Sequence, residues 1–333
     1  MKDILQSRNE CIRRSLDRLP GSVPYDNIRP INVPARFDGR TLLECVEGMH
    51  PHVSPAQWQC WFQQGHILHG DEPMPASQIV RGGQQYQHLF PNTVEPDVDA
   101  GIEILWEDEA LIAVHKPAPL PVHPCGRFNL NTLTSLLSHV YQPTDLRVIH
   151  RLDANTTGLM LLARSVDAAT NLRKQFQQNT IRKTYLVRCS GHPPNDRFGC
   201  NDPIARHRSQ AGAREIDPDG YSAETEFHVM RRSGDGSALL EARPLTGRTN
   251  QIRIHLWALR MPVLGDPAYL KDGQRAASQT LEVDQPPMCL HASKLSIVHP
   301  SSGEPMELTA PNPTWIDSCI PRVASGSSVR LRL

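Results

Sequence analysis

Apolar and polar positions follow two periods along this chain, about two residues in some stretches and 3.6 in others, and the changes of period mark its elements. "IEILWEDEALIAVHKP" reads as two strands joined at Asp108 and Glu109, and "GLMLLAR", "TYLVRCS", "AETEFHVMR" and "SALLEARPL" have the length and composition of strands. "LNTLTSLLSHVY", "DAATNLRKQFQQN" and "TNQIRIHLWALR" have helical spacing, and "KLSIVHPSSGEPMELTAP" reads as a hairpin. Strands dominate without regular βαβ alternation. The expected class is therefore α+β, with a mixed, mainly antiparallel sheet and flanking helices over residues 101–316.

Upstream, residues 36–90 read as a small α/β module. Thr41 can cap "LLECVEGM", and "SPAQWQCWFQQG" offers Ser54 as cap, Pro55 at the first helical position and Gly65 as terminator, before the strand "HILHG". Residues 1–35 hold one weakly amphipathic stretch, with Leu5, Ile12, Leu16 and Leu19 at helical intervals, and then the Pro-bearing "PGSVPYDNIRPINVPA". An N-terminal extension and linker are expected there, with a second linker at 91–100 and a flexible tail at 317–333.

Composition narrows the function classes. The 333 residues suit about two domains of roughly 150 residues each. Lys and Arg balance Asp and Glu at 35 each, which argues against a uniformly basic coat. The distribution is uneven: residues 66–110 carry nine Asp or Glu and one Arg, whereas residues 142–275 carry 20 Lys or Arg and 14 Asp or Glu. The second stretch is locally positive. The first twenty residues have no apolar signal core, and no run approaches the roughly 18 apolar residues of a membrane helix. Eight scattered cysteines then imply reduced thiols in the cytoplasm. Cys189, His192, Cys200 and His207 form the nearest approach to a metal pattern, at spacings that fit no standard zinc module.

One carboxylate stands out. In "VIHRLDANTTGLMLLARS", Asp153 lies between Arg151 and an apolar run that must be buried, with Thr156, Thr157 and Gly158 making a polar turn. A structural ion pair or a turn cap is the ordinary fate of such an acid. At the mouth of a buried strand, however, a carboxylate must be held ionised by a partner or its burial is costly. That partner has to come from elsewhere in the chain.

This stretch resembles the signature of the RluA-type pseudouridine synthases, which isomerise uridine in ribosomal and transfer RNA. Three more stretches agree, in family order: "LIAVHKPAPLPVHPCG" resembles the first motif, "IRKTYLVRCSG" the strand of the active-site tyrosine, and "LTGRTNQIRIHLWALRMPVLGDPAYL" the third motif. Together they span roughly residues 101–312. "TTG" stands where "TSG" is commonest, and "RTNQIR" where "RTHQIR" is. Residues 36–90 resemble a degenerate form of the RNA-binding module named after ribosomal protein S-four, although their cations are only Arg36, Arg40 and Arg81.

The resemblance implies the pseudouridine synthase fold and an RNA substrate, with no cofactor, metal, membrane or DNA involved, in a monomer. Asp153 would be the catalytic carboxylate, Arg253 its cationic partner with Arg248 as alternate, and Tyr185 the aromatic that stacks on the detached base. Arg151 would fill the space of a flipped-out nucleotide, or else contact a phosphate or form a structural bridge. His150, Lys183 and Arg248 join it as RNA-binding candidates. Lys116, Pro117, His123 and Pro124 read as loop architecture beside the cleft, with an ordinary exposed lysine equally open for Lys116, while Gly265, Asp266 and Tyr269 read as a turn and a packing aromatic. Two other functions stay open: a catalytically inactive RNA-binding or RNA-folding factor, and a hydrolase with Asp153 as nucleophile. The hydrolase is disfavoured because neither a paired general base nor a metal constellation is visible.

Overall fold

The computed structural model describes residues 2–142, 145–207, 213–271, 273–276 and 280–317. The chain divides into two compact units, Leu19–Pro96 and the combination of Met1–Arg18 with Asp97–Leu333. Helix α1 (Lys2–Ser15) therefore belongs to the larger unit.

The smaller unit contains β1 (Tyr25–Asn32), α2 (Leu42–Met49), α3 (Pro55–Gln63), β2 (Ile67–His69), β3 (Glu72–Pro73) and β4 (Gln85–Thr93). Its antiparallel sheet has the order β1-β4-β2-β3. Thr41 starts α2 with a full capping box, exchanging bonds with Glu44, and Ser54 caps α3 through the Gln57 N–H. Ile31, Leu42, Val46, Trp58, Ile67 and Val80 share its core. Two expectations are corrected here. The stretch read as linker within 1–35 supplies β1, and β4 runs on through the expected boundary at residue 90. Strand β1 tolerates Pro30 because it is an edge strand, and it buries only Asn27 and Ile31.

The larger unit is built on β5 (Glu103–Glu107), β6 (Leu111–Lys116), α4 (Leu133–Ser138), β7 (Arg147–Val148), β8 (Thr157–Ala163), α5 (Val166–Gln177), β9 (Arg182–Ser190), β10 (Arg197–Cys200), β11 (Thr225–Arg232), β12 (Ser237–Pro244), α6 (Gln251–Ala258), β13 (Leu290–Val298) and β14 (Pro305–Thr309). One ten-stranded sheet runs β10-β11-β12-β9-β13-β8-β6-β5, with β14 beside β13 and β7 beside β8. This is the expected α+β class. Asp108 makes the β5–β6 turn by accepting the Ala110 and Leu111 N–H groups on Oδ1.

Every pairing in this sheet is antiparallel except that of β8 with β13, where Thr157 faces His291 and Gly158 faces Ala292. Gly158 sits at φ +109, and a Cβ there would collide with the Ala292 backbone, so only glycine lets the two strands meet. The seam divides two apolar cores. Leu159, Leu161 and Leu172 join α5 to β8 on one side, while Val187, Leu240, Ile252 and Leu256 join α6 to β9 and β12 on the other.

At the outer edge, α1 covers β5. Asn9 accepts the Ile104 N–H (2.7 Å) and donates to the Ile104 carbonyl (3.3 Å), as a neighbouring strand would. Arg8 pairs with Glu107 at 3.1 Å and stands 4.4 Å over the Tyr141 ring. Among the described residues no helix is long and apolar enough to cross a membrane. The tail expected at 317–333 lies, apart from Asp317, outside the described residues.

Candidate active site

A cleft of about 820 Å³ opens over the middle of the sheet, between the end of α5 (Phe176, Gln177) and the start of α6 (Asn250–Arg253). Asp153, Tyr185 and Arg253 all line it, as do His150, Arg151, Lys183 and Arg248.

Asp153 belongs to the turn that enters β8, which closes through the Thr156 N–H on the Asp153 carbonyl at 3.0 Å. The neighbouring Ala154 carbonyl is held twice, by the Leu120 N–H (2.9 Å) and by Lys116 Nζ (3.1 Å). Lys116 also donates to the Pro117 and Leu120 carbonyls at 2.7 and 2.9 Å. It is wholly buried, so it is a tie between β6 and the Asp153 turn and not an exposed lysine. Burial pulls its pKa down to about 7, against the upward pull of Asp153 and Asp99.

Arg253, one turn into α6, donates Nη1 to Asp153 Oδ2 at 3.0 Å. The guanidinium side chain is 3% exposed and the carboxylate 28%, so the acid reaches the cleft while its cation stays beneath it. Arg253 is itself gripped by a second acid. Asp266 Oδ2 accepts from Nε at 2.7 Å and Oδ1 from Nη2 at 2.8 Å, a bidentate pair. Asp266 Oδ1 also accepts the Ala268 and Tyr269 N–H groups, and its side chain is fully buried. Burial opposes the guanidinium charge, but Asp266 and then Asp153 outweigh it and raise the Arg253 pKa. Asn250 accepts from Arg253 Nη1 at 3.0 Å and donates to the Tyr269 hydroxyl at 3.3 Å. It holds a left-handed backbone (φ 58) that asparagine tolerates.

Tyr185 and Lys183 lie two residues apart on β9 and so share one face of the strand. Burial, then Asp153, raise the Tyr185 pKa, so its hydroxyl stays protonated at neutral pH. Lys183 Nζ donates to the Thr246 carbonyl at 2.8 Å, and burial together with Arg248 pulls its pKa down to about 8. Arg248, exposed, donates Nε to the Ser222 carbonyl at 2.9 Å and takes no part in the ion pair at Asp153. Arg151 projects into solvent at the cleft and makes no hydrogen bond among the described residues.

His150 departs from its expected role. Its ring stacks on Phe176 (4.6 Å between centres), and Nε2 accepts the Leu161 N–H at 2.9 Å. Burial, then Lys183, push its pKa down to about 3, so it stands neutral in the wall and offers RNA no charge. Asp266 was legible only as a turn residue, because nothing in "LGDPAY" signals a buried guanidinium partner 13 positions upstream. Gln251 also passed unnoticed. It accepts from the Thr246 hydroxyl and the Arg248 N–H and donates to the Glu224 carbonyl, fixing the loop that bears Arg248. Of the four metal-pattern residues, Cys189 and Cys200 pack in an apolar core and His192 Nε2 contacts the Ser233 and Ser237 carbonyls.

Comparison with known proteins adds an independent line. The family model described as RNA pseudouridylate synthase matches residues 110–258. The ribosomal large subunit pseudouridine synthase D of Nitrosomonas europaea is 31% identical over 302 residues, covering 88% of this chain and 87% of that protein. The pseudouridylate synthase RPUSD2 of Homo sapiens is 32% identical over 235 residues, covering 70% of this chain and 43% of its own length. Among solved structures, human RNA pseudouridylate synthase domain containing 4 superposes with a TM-score of 0.51 at 29% identity, covering 64% of this chain and 89% of the other.

Proposed function

This chain belongs to the RNA pseudouridylate synthase family, and on that premise we propose that it isomerises one specific uridine of structured ribosomal or transfer RNA with Asp153 as the essential carboxylate. The reaction breaks the bond from ribose C1′ to uracil N1, turns the base in place and joins C1′ to C5; the C5 proton is released to solvent and N1 takes up a proton. All other atoms stay, and no electrons are gained or lost. The step needs a carboxylate anion, either as nucleophile or as the base that removes a ribose proton on a glycal route.

The observation that carries this reading is the Asp153–Arg253 pair, formed by residues 100 positions apart on the floor of a cleft also lined by Tyr185. Arg253, itself anchored by Asp266, engages Oδ2, while Oδ1 has no partner among the described residues and is free for the substrate. Protonated Tyr185 supplies a neutral aromatic face for the base. Lys183 and Arg248 serve phosphates, and a uridine within a helix or loop must leave its stack to reach the acid, with Arg151 taking the vacated space.

Tritium release from RNA labelled at uracil C5 tests this. Wild-type protein should release tritium, and Asp153→Asn should release none while keeping RNA affinity within about tenfold, since affinity rests mainly on phosphates and stacking. Turnover by Asp153→Asn at the wild-type rate would refute the assignment. Wild-type protein that binds RNA without releasing tritium would instead identify an inactive RNA-binding factor.

A further inference from the structure

Beyond the cleft rim, Arg248 and Arg206 converge on one aromatic ring. Each guanidinium carbon stands 5.3 Å from the centre of the Tyr221 ring. Tyr221 is 44% exposed, so its ring and the two guanidinium groups around it are open to solvent. Among the described residues neither arginine has a carboxylate partner; their side-chain bonds go to backbone carbonyls, Arg248 Nε to Ser222 and Arg206 Nε to Asp219 at 3.1 Å. Two like charges are thus gathered at one ring, and among the described residues neither forms an ion pair.

The platform beneath is rigid. Tyr221 and Ile204 exchange two backbone hydrogen bonds, at 2.9 and 2.8 Å. Ile204 and Ala223 pack with Ile254 of α6 and with Tyr269. The Tyr269 hydroxyl donates to the Arg214 carbonyl and accepts from Asn250, which also holds Arg253. The ridge is therefore tied through packed groups to the cation of the candidate active site. On its far side lies a hollow lined by Arg206, His207, Asp217, Pro218, Asp219 and Gly220. Its two carboxylates disfavour a phosphate inside it, which leaves the ridge itself as the place for one. From the cleft outward, Lys183, Arg248 and Arg206 make a run of cations.

We propose that the Arg206–Tyr221–Arg248 ridge is a subsite for the RNA backbone flanking the target uridine, with Tyr221 as the positioning residue that holds both guanidinium groups toward a phosphate. The inference rests on the uridine-isomerising reading above. It extends the bound strand past the nucleotide in the cleft, onto Arg206 and Tyr221, which the sequence motifs do not mark. Guanidinium groups suit this because they remain charged and meet phosphate oxygens with two parallel donors.

The test compares the binding of two oligouridylates, a trimer and one of about 15 nucleotides, to the full chain over a range of salt. Arg206→Gln and Tyr221→Ala should each weaken the longer oligomer about fivefold and leave the trimer unchanged. The slope of log affinity against log salt should become shallower by about 0.7 for each phosphate that is no longer neutralised. Tyr221→Phe keeps the ring and should bind as wild type, which separates loss of the platform from loss of the hydroxyl; circular dichroism checks that each variant folds. Equal loss on both oligomers, or none on either, overturns the subsite. Tritium release by the wild-type protein in the same preparation keeps the two claims apart: release together with unchanged binding by the variants refutes the ridge alone, whereas no release refutes the isomerase reading.

Discussion

At the scale of single residues, the site is a chain of charges in which each member secures the next. Arg253 is the middle link, and its second acid changes what its removal does. Arg253→Met leaves Asp266 buried with no cation, and a stranded buried charge costs about 3–5 kcal/mol. We expect a large fall in denaturation midpoint together with loss of tritium release. Adding Asp266→Asn removes the stranded charge while Oδ1 continues to accept the Ala268 and Tyr269 N–H groups, so the double variant should recover most of the stability and none of the activity. Recovery of activity in the double variant would show that Asp153 needs no cation. For Tyr185 the ring is what matters: Tyr185→Phe should retain RNA affinity, and Tyr185→Ala should lose stacking worth about 1–3 kcal/mol. Equal affinity of the two variants would count against stacking. Asp153, Tyr185 and Arg253 were legible because they stand in ordered motifs. The grip of Asp266 on Arg253 and the burial of Lys116 were not, because burial and partners are set by the fold and not by the neighbours of a residue in sequence.

Among the elements, β8 follows the turn that holds Asp153, and its free edge explains His150. One side of β8 pairs throughout with β6; the other meets β13 at Thr157 and Gly158 and β7 only near its end, at Leu162 and Ala163. The Leu161 N–H falls between these partners, and His150 Nε2 receives it. A histidine in that position must be neutral. Its pKa of about 3 lies below the ordinary histidine value of 6.5 in the unfolded chain, so the unfolded state binds more protons between those values and stability falls as pH drops below 6.5. The slope should approach about 1.4 kcal/mol per pH unit for this one group. His150→Gln should flatten it, as read from denaturant midpoints between pH 6.5 and 4. If the wild-type and variant slopes coincide, His150 is not the group responsible. Helices α2 and α3 were legible from their caps, Thr41 and Ser54, because capping is local chemistry. Strand β1 was not, since its polar face and Pro30 are acceptable only at a sheet edge, and edge position is a property of the sheet.

Across the whole molecule, the α+β class and the longer strands and helices over residues 101–316 followed from periodicity, while the short strands β7 and β10 and the boundary of the smaller unit did not. Linker-like composition hid β1, and α1 belongs to the larger unit because Asn9 and Arg8 fasten it to β5 and Glu107. The seam between β8 and β13 bears on time as well as on shape. It joins residues more than 130 positions apart, whereas the β5–β6, β11–β12 and β13–β14 hairpins close over short spans of chain. Distant contacts form late, because the chain must first give up the entropy of the intervening loop. The turn of Asp153 leads directly into this seam, and its partner Arg253 lies on the opposite side of it. During refolding from denaturant, far-ultraviolet circular dichroism should therefore recover before competence for tritium release, and the protein should pass through a period of being folded in its parts yet unable to act. Simultaneous recovery of both signals would show that the seam is already closed when the hairpins form.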